Sequence, residues 1–387
     1  MNRTRLGAAV CALAVACASR IAAEPRLARF EFSQSHMGTL FRIVLYAPDA
    51  ESARAASGAA FRSIAEMDDI MSDYKPASEL MQFCARAGGP PVAVSEDLFR
   101  VLAAAQDLAG RSDGAFDVTV GPVVRLWRRA RRRHELPDAD RLAKALELVG
   151  YQELRLEPAA RTAQLLKPGM LLDLGGIAKG YAADEALATL KRYGIERALV
   201  AGGGDIAVAG PPPGKQGWRI AIAPLEPAGI PNRKSKIQNL LLRDAAVSTS
   251  GDAEQHVDLG GVRYSHIVDP KTGMALTGRS SVTIVAPNCT TSDGLATAVS
   301  VLGPERGLEL VKDTPGAGVL FVKETAAGNR AWALKFPPEG RGAPLRCSRS
   351  VRECGRGRLA RTPSAWRKSG QDGRAPGPYD PYLRCHK

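Results

Sequence analysis

The sequence has few cysteines in the region that is long enough to form a folded core. Of its seven cysteines, only Cys84 and Cys289 fall between residues 24 and 337. Two cysteines cannot form a disulfide framework, and their spacing does not show whether they pair. No Cys/His cluster with the spacing of a zinc site is present. The chain is therefore neither a disulfide-stabilised scaffold nor a zinc-finger protein.

The central region also lacks the positive charge that the overall composition suggests. The formal net charge of the 387 residues is +13. Residues 338–387 hold twelve Lys and Arg against four Asp and Glu, and the first 23 residues add three arginines. Residues 24–337 are close to neutral, so a nucleic-acid-binding role loses its main support. We expect no nucleic-acid partner.

No hydrophobic run is long enough to span a bilayer as a helix. The apolar run over residues 6–18 follows two arginines and is too short for that purpose. It predicts a secretory signal peptide over residues 1–23, cleaved after Ala23 or Ala18, and hence an exported protein. Cys17 leaves open an attachment to the inner membrane by a lipid anchor.

The last fifty residues differ in composition from the rest of the chain. Residues 338–387 are rich in Gly, Pro and Arg and poor in aliphatic side chains, so they cannot pack a core. They are interpreted as a disordered tail or as foreign sequence from a shifted reading frame. The remaining residues, 24–337, are predicted to form the folded domain.

Local patterns in this domain predict both strands and helices. Residues 30–46 alternate as two strands around a turn, and residues 51–71 have helical periodicity. Ser95 is a predicted N-cap for a helix that ends at Gly110. The basic run over residues 128–138 is predicted to be a solvated loop, with binding to phosphate or to an acidic partner as the alternative.

The stretch LLDLGGIAKGYAADEAL (171–187) is the one around which the chain is organised. Gly175 and Gly176 follow a short apolar run and precede an amphipathic helix. Paired glycines allow backbone to approach a ligand closely, and the N-terminus of a helix favours an anion. Taken alone, a Gly-Gly pair before a helix usually marks only a tight turn.

Eight motifs in one order make the pattern specific. They are HMGT (36–39), SDYKPASEL (72–80), DGAFDVTVGP (113–122), LDLGGIAKGYAAD (172–184), GGGD (202–205), STSGD (248–252), HIVDPKTG (266–273) and SDGLATAVSVLG (292–303). Together they resemble the ApbE family of FAD:protein FMN transferases over roughly residues 30–325. The resemblance implies an α+β, T-fold-like architecture of mixed, largely antiparallel sheets flanked by helices. The active site would lie in a central cleft, and residues 24–337 would form the flavin transferase domain.

The resemblance implies that FAD is cleaved at its pyrophosphate. The FMN half would pass to a Thr or Ser hydroxyl of an acceptor protein as a phosphoester, with release of AMP. Mg²⁺ would neutralise the pyrophosphate charge. Its implied ligands are Asp293, Thr297 and the backbone carbonyl of Ala178, since Mg²⁺ prefers oxygen. Some family members carry a further acid just before this threonine, where this chain has Ala296.

The resemblance also assigns residues to the flavin nucleotide and to proton transfer. Those placed along FAD are Met37, Tyr74, Ala115, Phe116, Asp117, Gly175, Lys179 and Ile267. Tyr74 would stack on flavin or adenine, and Lys179 would pair with phosphate. His266 is the candidate catalytic base or acid. Asp269 either orients His266 as a catalytic partner or caps the Asp-Pro-Lys-Thr-Gly turn.

Three functions remain open on the sequence alone. The first is the transferase, whose partner would be the periplasmic domain of a membrane redox protein. The second is an FAD pyrophosphatase that gives FMN and AMP to water. The third is a non-catalytic periplasmic FAD-binding protein, against which the presence of both His266 and Asp293 argues.

Overall fold

The computed structural model describes residues 26–223, 225, 238–251 and 256–337. The predicted signal peptide, the cleavage sites, Cys17 and the 338–387 tail lie outside the described residues. Within the described part, no helix has the length and apolar character needed to cross a bilayer.

The described residues form strands and helices in an interleaved order. The strands are β1 (Ala28–His36), β2 (Thr39–Ala47), β3 (Val92–Ala93), β4 (Leu154–Glu157), β5 (Thr162–Leu165), β6 (Ala198–Gly202), β7 (Asp205–Ala209), β8 (Trp218–Ile222), β9 (Gln238–Leu242), β10 (Ala245–Gly251), β11 (His256–Leu259), β12 (Val262–Val268), β13 (Ala275–Thr277), β14 (Ser280–Ala286), β15 (Gly318–Thr325) and β16 (Gly328–Leu334). The α-helices are α1 (Ala50–Met71), α2 (Glu79–Cys84), α3 (Glu96–Arg111), α4 (Gly121–Arg133), α5 (Ala139–Leu146), α6 (Ala178–Arg192) and α7 (Cys289–Lys312).

Eight strands form the main sheet in the order β1-β2-β6-β7-β10-β14-β15-β16. Every neighbouring pair is antiparallel. Side chains alternate between its two faces: Phe41, Ile43 and Leu45 of β2 join the larger core, whereas Val44 joins the smaller one. Helices α1, α6 and α7 pack together on the face of the larger core. This face carries the elements that position the candidate site.

Smaller sheets complete the fold. The β8–β9 ribbon covers the other face of the main sheet, where Trp218 and Ile220 pack against residues of β6 and β7. The three strands β11, β12 and β13 form a separate antiparallel sheet. Trp127 of α4 packs with Val268 of β12, and its indole nitrogen Nε1 donates to the Gly273 carbonyl at 2.8 Å. A third small sheet contains β3, β5 and β4.

The predicted fold class is confirmed, and so are several local predictions. The β1–β2 hairpin, helix α1 and the Ser95 cap of α3 appear where the sequence places them. Helix α3 continues through Gly110 to Arg111, one residue beyond its predicted end. Both cysteines of the domain, Cys84 and Cys289, are buried free thiols.

The predicted solvated loop over residues 128–138 is wrong in its first half. Residues 128–133 are the last turns of α4. Val123, Trp127 and Ala130 recur at helical spacing and are buried, so the helix is held by an apolar face that the arginines conceal in the sequence. Arginine also has a good helix propensity.

Candidate active site at the start of α6

The turn before α6 comes very close to α7. A Cβ atom at Gly176 would lie 2.9 Å from Thr297 Oγ1 and 3.3 Å from Phe116 Cε2. Only glycine leaves room for this approach. The structure therefore brings three sequence-predicted positions, Phe116, the Gly-Gly turn and Thr297, into one place.

One turn further along α6, Gly180 contacts Asp293. Its backbone N–H donates to Asp293 Oδ2 at 3.0 Å. A Cβ atom at Gly180 would lie 2.8 Å from Asp293 Cβ and 2.3 Å from the Cys289 carbonyl oxygen. Asp293 and Thr297 are four residues apart on α7 and share one face, so both point at the beginning of α6. Ala178 is the first residue of that helix.

Asp184, on the next turn of α6, holds the N-terminus of α7. Its carboxylate accepts from the backbone N–H groups of Cys289 and Thr290, both at 2.8 Å, and from the Thr290 hydroxyl at 2.6 Å. These N–H groups have no partner within their own helix. Asp184 lies in a motif that the sequence singled out, yet only the structure shows this positioning role.

Lys179 lies between two buried carboxylates. Its Nζ is 3.2 Å from Asp205 Oδ2 and 3.7 Å from Asp293 Oδ2, and it donates to the Gly175 carbonyl at 3.0 Å. Burial, followed by the charge of Asp205, raises the pKa of Asp293 to about 7 although Lys179 opposes the shift. Burial alone would lower the pKa of Lys179, but the two carboxylates outweigh it and raise that pKa above its usual value.

The chemistry of this group fits a hard cation. Two carboxylates share one ammonium group, which leaves excess negative charge in a buried place. Asp205 Oδ2 forms no hydrogen bond of good geometry despite the nearby Lys179. The possible metal ligands that converge there are oxygen atoms, which Mg²⁺ prefers. The described residues contain no group of three His, Cys, Asp or Glu side chains placed to hold a metal ion, so a cation here would also need hydroxyl or carbonyl oxygen.

Tyr74 is linked to the same turn through an ion-pair network. Tyr74 is 72% exposed, and the Arg128 guanidinium lies 4.3 Å from the centre of its ring. Arg128 pairs with Asp73 and, at 2.7 Å, with Asp173. Asp173 in turn accepts from the Gly175 N–H at 2.8 Å. The sequence gives no signal for this network, since its members are far apart along the chain.

Ala115, Phe116 and Asp117 form a buried segment next to the site. The Asp117 carboxylate accepts from the Thr119 backbone N–H at 2.8 Å and from the Thr119 hydroxyl at 2.7 Å. Burial raises the pKa of Asp117, and these bonds oppose the shift. The carboxylate that the sequence placed along FAD thus also fixes the turn that leads into α4.

His266, Ile267 and Asp269 lie at the end of the small sheet. Strand β12 packs against α7, the helix that carries Asp293 and Thr297. The Asp269 carboxylate accepts a hydrogen bond from the Lys271 backbone N–H at 2.9 Å. Asp269 therefore caps the Asp-Pro-Lys-Thr-Gly turn, which was one of the two roles expected for it. The Lys271 side chain reaches Asp113 at 2.6 Å and so joins this turn to the segment that precedes Ala115.

Met37 lies in the β1–β2 turn with a φ of 50° and packs against the larger core. Two residues on, Thr39 Cγ2 lies 3.4 Å from where a Cβ of Gly203 would be, and Lys179 lies 3.2 Å from that same point. The hairpin turn is therefore near Lys179. Asp205 and Asp173 also belong to the candidate site; the sequence does not single them out, although both fall within the eight motifs.

Comparison with known proteins agrees with these motifs. The ApbE family matches residues 37–321. A protein of Treponema pallidum named FAD:protein FMN transferase is 34% identical and aligns with 82% of this chain and 90% of its own length. One of the same name from Vibrio cholerae is 34% identical, over 77% of this chain and 88% of its own.

Solved structures show the same fold. Flavin Transferase ApbE from Vibrio cholerae has a TM-score of 0.71 at 32% identity and covers 80% of this chain and 97% of its own. Pseudomonas stutzeri flavinyl transferase ApbE has a TM-score of 0.70 at 28% identity and covers 79% of this chain and 95% of its own. The relatives are named transferases, and this chain is an enzyme of that class. The chain belongs to the ApbE family, which confirms the resemblance seen in its motifs.

Proposed function

We propose that this chain transfers the FMN moiety of FAD to a Thr or Ser hydroxyl of an acceptor protein, forming a phosphoester and releasing AMP. The observation that carries the proposal is the convergence of Asp293, Thr297 and Lys179 on the Gly-Gly turn at the start of α6. It occurs in a chain whose relatives are named FAD:protein FMN transferase.

The proposal includes Mg²⁺ held by Asp293, Thr297 and the Ala178 carbonyl. When bound, the ion would neutralise charge on the pyrophosphate and its leaving group. Lys179 supplies a fixed positive charge that keeps the Asp205–Asp293 pair from repelling a phosphate-bearing ligand. Gly175 and Gly176 let the ligand approach the backbone before α6.

The nucleotide would lie along the residues that the resemblance assigned to FAD. Tyr74 offers an exposed ring for stacking, and Arg128 fixes its orientation. Met37, Ile267 and the buried segment from Ala115 to Asp117 form the surrounding wall in this proposal. Its last element is His266, which accepts the proton of the acceptor hydroxyl while Asp269 holds the turn that follows.

The proposed setting is the periplasm. The N-terminal pattern supports export, and the acceptor would then be the periplasmic domain of a membrane redox protein. Lipid attachment at Cys17 would keep the enzyme at the inner membrane, near such a partner.

Intact-mass spectrometry tests the transferase directly. The mature protein is mixed with FAD, Mg²⁺ and an acceptor domain that carries a candidate threonine. We expect the acceptor to gain the mass of one FMN, and Asp293→Ala and His266→Ala to abolish the gain. Asp313→Ala, an exposed acid at the end of the same helix, is the matched control and should retain activity.

Two other results would point to the alternatives. FMN and AMP released without modification of any acceptor would favour the pyrophosphatase. FAD that binds and stays intact with Mg²⁺ present would favour the non-catalytic binding protein.

A further inference from the structure

The C-terminal half of α4 concentrates positive charge on a domain that is otherwise close to neutral. Arg129, Arg131, Arg132 and Arg133, here called the arginine cluster, follow one another along its last turns. Arg129, Arg132 and Arg133 are exposed, and Arg131 is half-buried. Four like charges in five positions repel one another, so compensating negative charge would stabilise this end of the helix.

The described residues do not supply that compensation. Arg128, just before Arg129, pairs with Asp73 and Asp173. No carboxylate in the described part of the chain lies within ion-pair distance of any member of the cluster. The dipole of α4 favours basic residues in its last turn, but it is equivalent to only about half a charge. Among the described residues the cluster therefore has no ion-pair partner, and three of its four arginines are exposed to solvent.

The position of the cluster connects it to the candidate site. Arg128 lies over the Tyr74 ring at 4.3 Å. Arg131 follows Arg128 by three residues in α4 and so lies on the same side of that helix. Leu136, three residues after the cluster, is 54% exposed and adds an apolar contact point. The charged surface thus borders the exposed face of Tyr74.

We propose that the arginine cluster binds an acidic segment of the acceptor polypeptide and so brings the acceptor to the Tyr74 side of the active site. The inference rests on the proposed transferase function. An acidic segment would supply the negative charge that the described residues do not place beside the cluster, and carboxylates accept well-oriented hydrogen bonds from guanidinium groups.

Two other occupants fit less well. A nucleotide stacked on Tyr74 cannot reach all four arginines, because exposed side chains on successive positions of a helix point in different directions. An anionic membrane pressed against α4 would cover Tyr74 and block access to the site. A polypeptide can contact the cluster and still extend one hydroxyl toward the flavin nucleotide.

The test uses binding, which does not require turnover. Two fluorescein-labelled synthetic peptides are centred on a threonine, one flanked by glutamates and the other by glutamines. Their affinities for the full-length chain are measured by fluorescence anisotropy. We expect the glutamate peptide to bind more tightly than the glutamine peptide, and its affinity to fall as the salt concentration is raised. The combined change Arg129→Gln, Arg132→Gln and Arg133→Gln should raise its Kd about tenfold.

A matched control separates the cluster from overall charge. Arg54→Gln, Arg155→Gln and Arg219→Gln remove the same charge from exposed positions elsewhere, and this variant should bind the glutamate peptide within about twofold of the original chain. Equal losses in both variants, or equal affinity for the two peptides, would overturn the proposal. Cluster-dependent binding to phosphatidylglycerol vesicles, without binding to the peptide, would assign the surface to a membrane instead.

FAD binding distinguishes failure of this inference from failure of the proposed function. The cluster variant should bind FAD with unchanged Kd, measured by quenching of flavin fluorescence. Loss of FAD affinity in this variant alone would assign the arginines to the nucleotide site. Absence of FAD binding in every version would contradict the proposed function, while the peptide result would still decide the role of the cluster.

Discussion

Lys179 is the cation that makes two neighbouring buried carboxylates compatible. Its side chain is 23% exposed, whereas those of Asp205 and Asp293 are almost fully buried. Removing one partner of a buried ion pair leaves an uncompensated charge, at a cost of about 3 kcal/mol. We expect Lys179→Met to lower the free energy of unfolding by about this amount, measured by urea denaturation.

The same variant reports on the cation site without any enzymatic assay. Added Mg²⁺ should raise the Tm of Lys179→Met more than that of the original chain, because a bound cation stabilises the folded state. Lys75→Met is the control, because Lys75 also pairs with two acids, Asp68 and Asp69, but near the surface. This substitution should lower the free energy of unfolding by about 1 kcal/mol or less. Equal costs at both positions would show that Lys179 has no special electrostatic role.

At the scale of elements, the contact between α6 and α7 depends on the absence of one side chain. A methyl group at Gly180 would lie 2.3 Å from the Cys289 carbonyl oxygen, which is backbone and cannot move aside. We expect Gly180→Ala to destabilise the fold by about 3 kcal/mol, at the upper end of overpacking costs, because the helices must separate. Urea denaturation monitored by circular dichroism measures the change.

Gly58 provides the comparison within α1. A methyl group there would meet only the end of the Arg62 side chain, at 3.6 Å. Gly58→Ala should therefore stabilise the chain by about 0.5–1 kcal/mol, since alanine favours a helix. If Gly180→Ala also stabilised the chain, the close contact between α6 and α7 would be contradicted.

Helix α4 shows which elements the sequence could and could not predict. The strands of β1–β2 and the helix α1 were predictable because their periodicity is clear and their partners are local. In α4 the apolar positions Val123, Trp127 and Ala130 are outnumbered by arginines. Only Asp73 and Asp173, from distant parts of the chain, show that Arg128 is an internal residue.

At the scale of the whole molecule, the order of strands could not be predicted from local pattern. Hairpins such as β6–β7 and β15–β16 join neighbours in sequence, but β2 pairs with β6 and β10 with β14. These pairings form where distant apolar faces meet. The pair Asp293 and Thr297 was predictable because the two residues are one helical turn apart. The contact of Lys179 with Asp205 was not, because it joins separate elements.

The two buried thiols give a measure of opening of the whole fold. Burial raises the pKa of Cys84 to about 11, and it raises the pKa of Cys289 as well. Near pH 8, folded Cys84 therefore holds about a hundredfold less thiolate than a free thiol, and thiolate is the reactive form. We expect iodoacetamide to label both residues only in urea that unfolds the chain, as followed by peptide mass spectrometry.

The urea-unfolded protein supplies the reference rate for that experiment. Labelling of both thiols should follow the same transition as circular dichroism, because both are buried in the larger core on the helical face of the main sheet. Labelling of Cys84 in native buffer at the unfolded rate would contradict its burial.

Helix α7 is broken at Gly303, whose φ of 75° no other residue adopts easily, and Pro304 begins the second half. The first half carries Asp293 and Thr297, and the second carries Arg306, which lies 3.5 Å from Asp113. In an unbroken helix, one inserted residue would rotate everything beyond it by about 100°. Here the break separates the two halves. A residue inserted after Gly303 would therefore leave Asp293 and Thr297 directed at the start of α6.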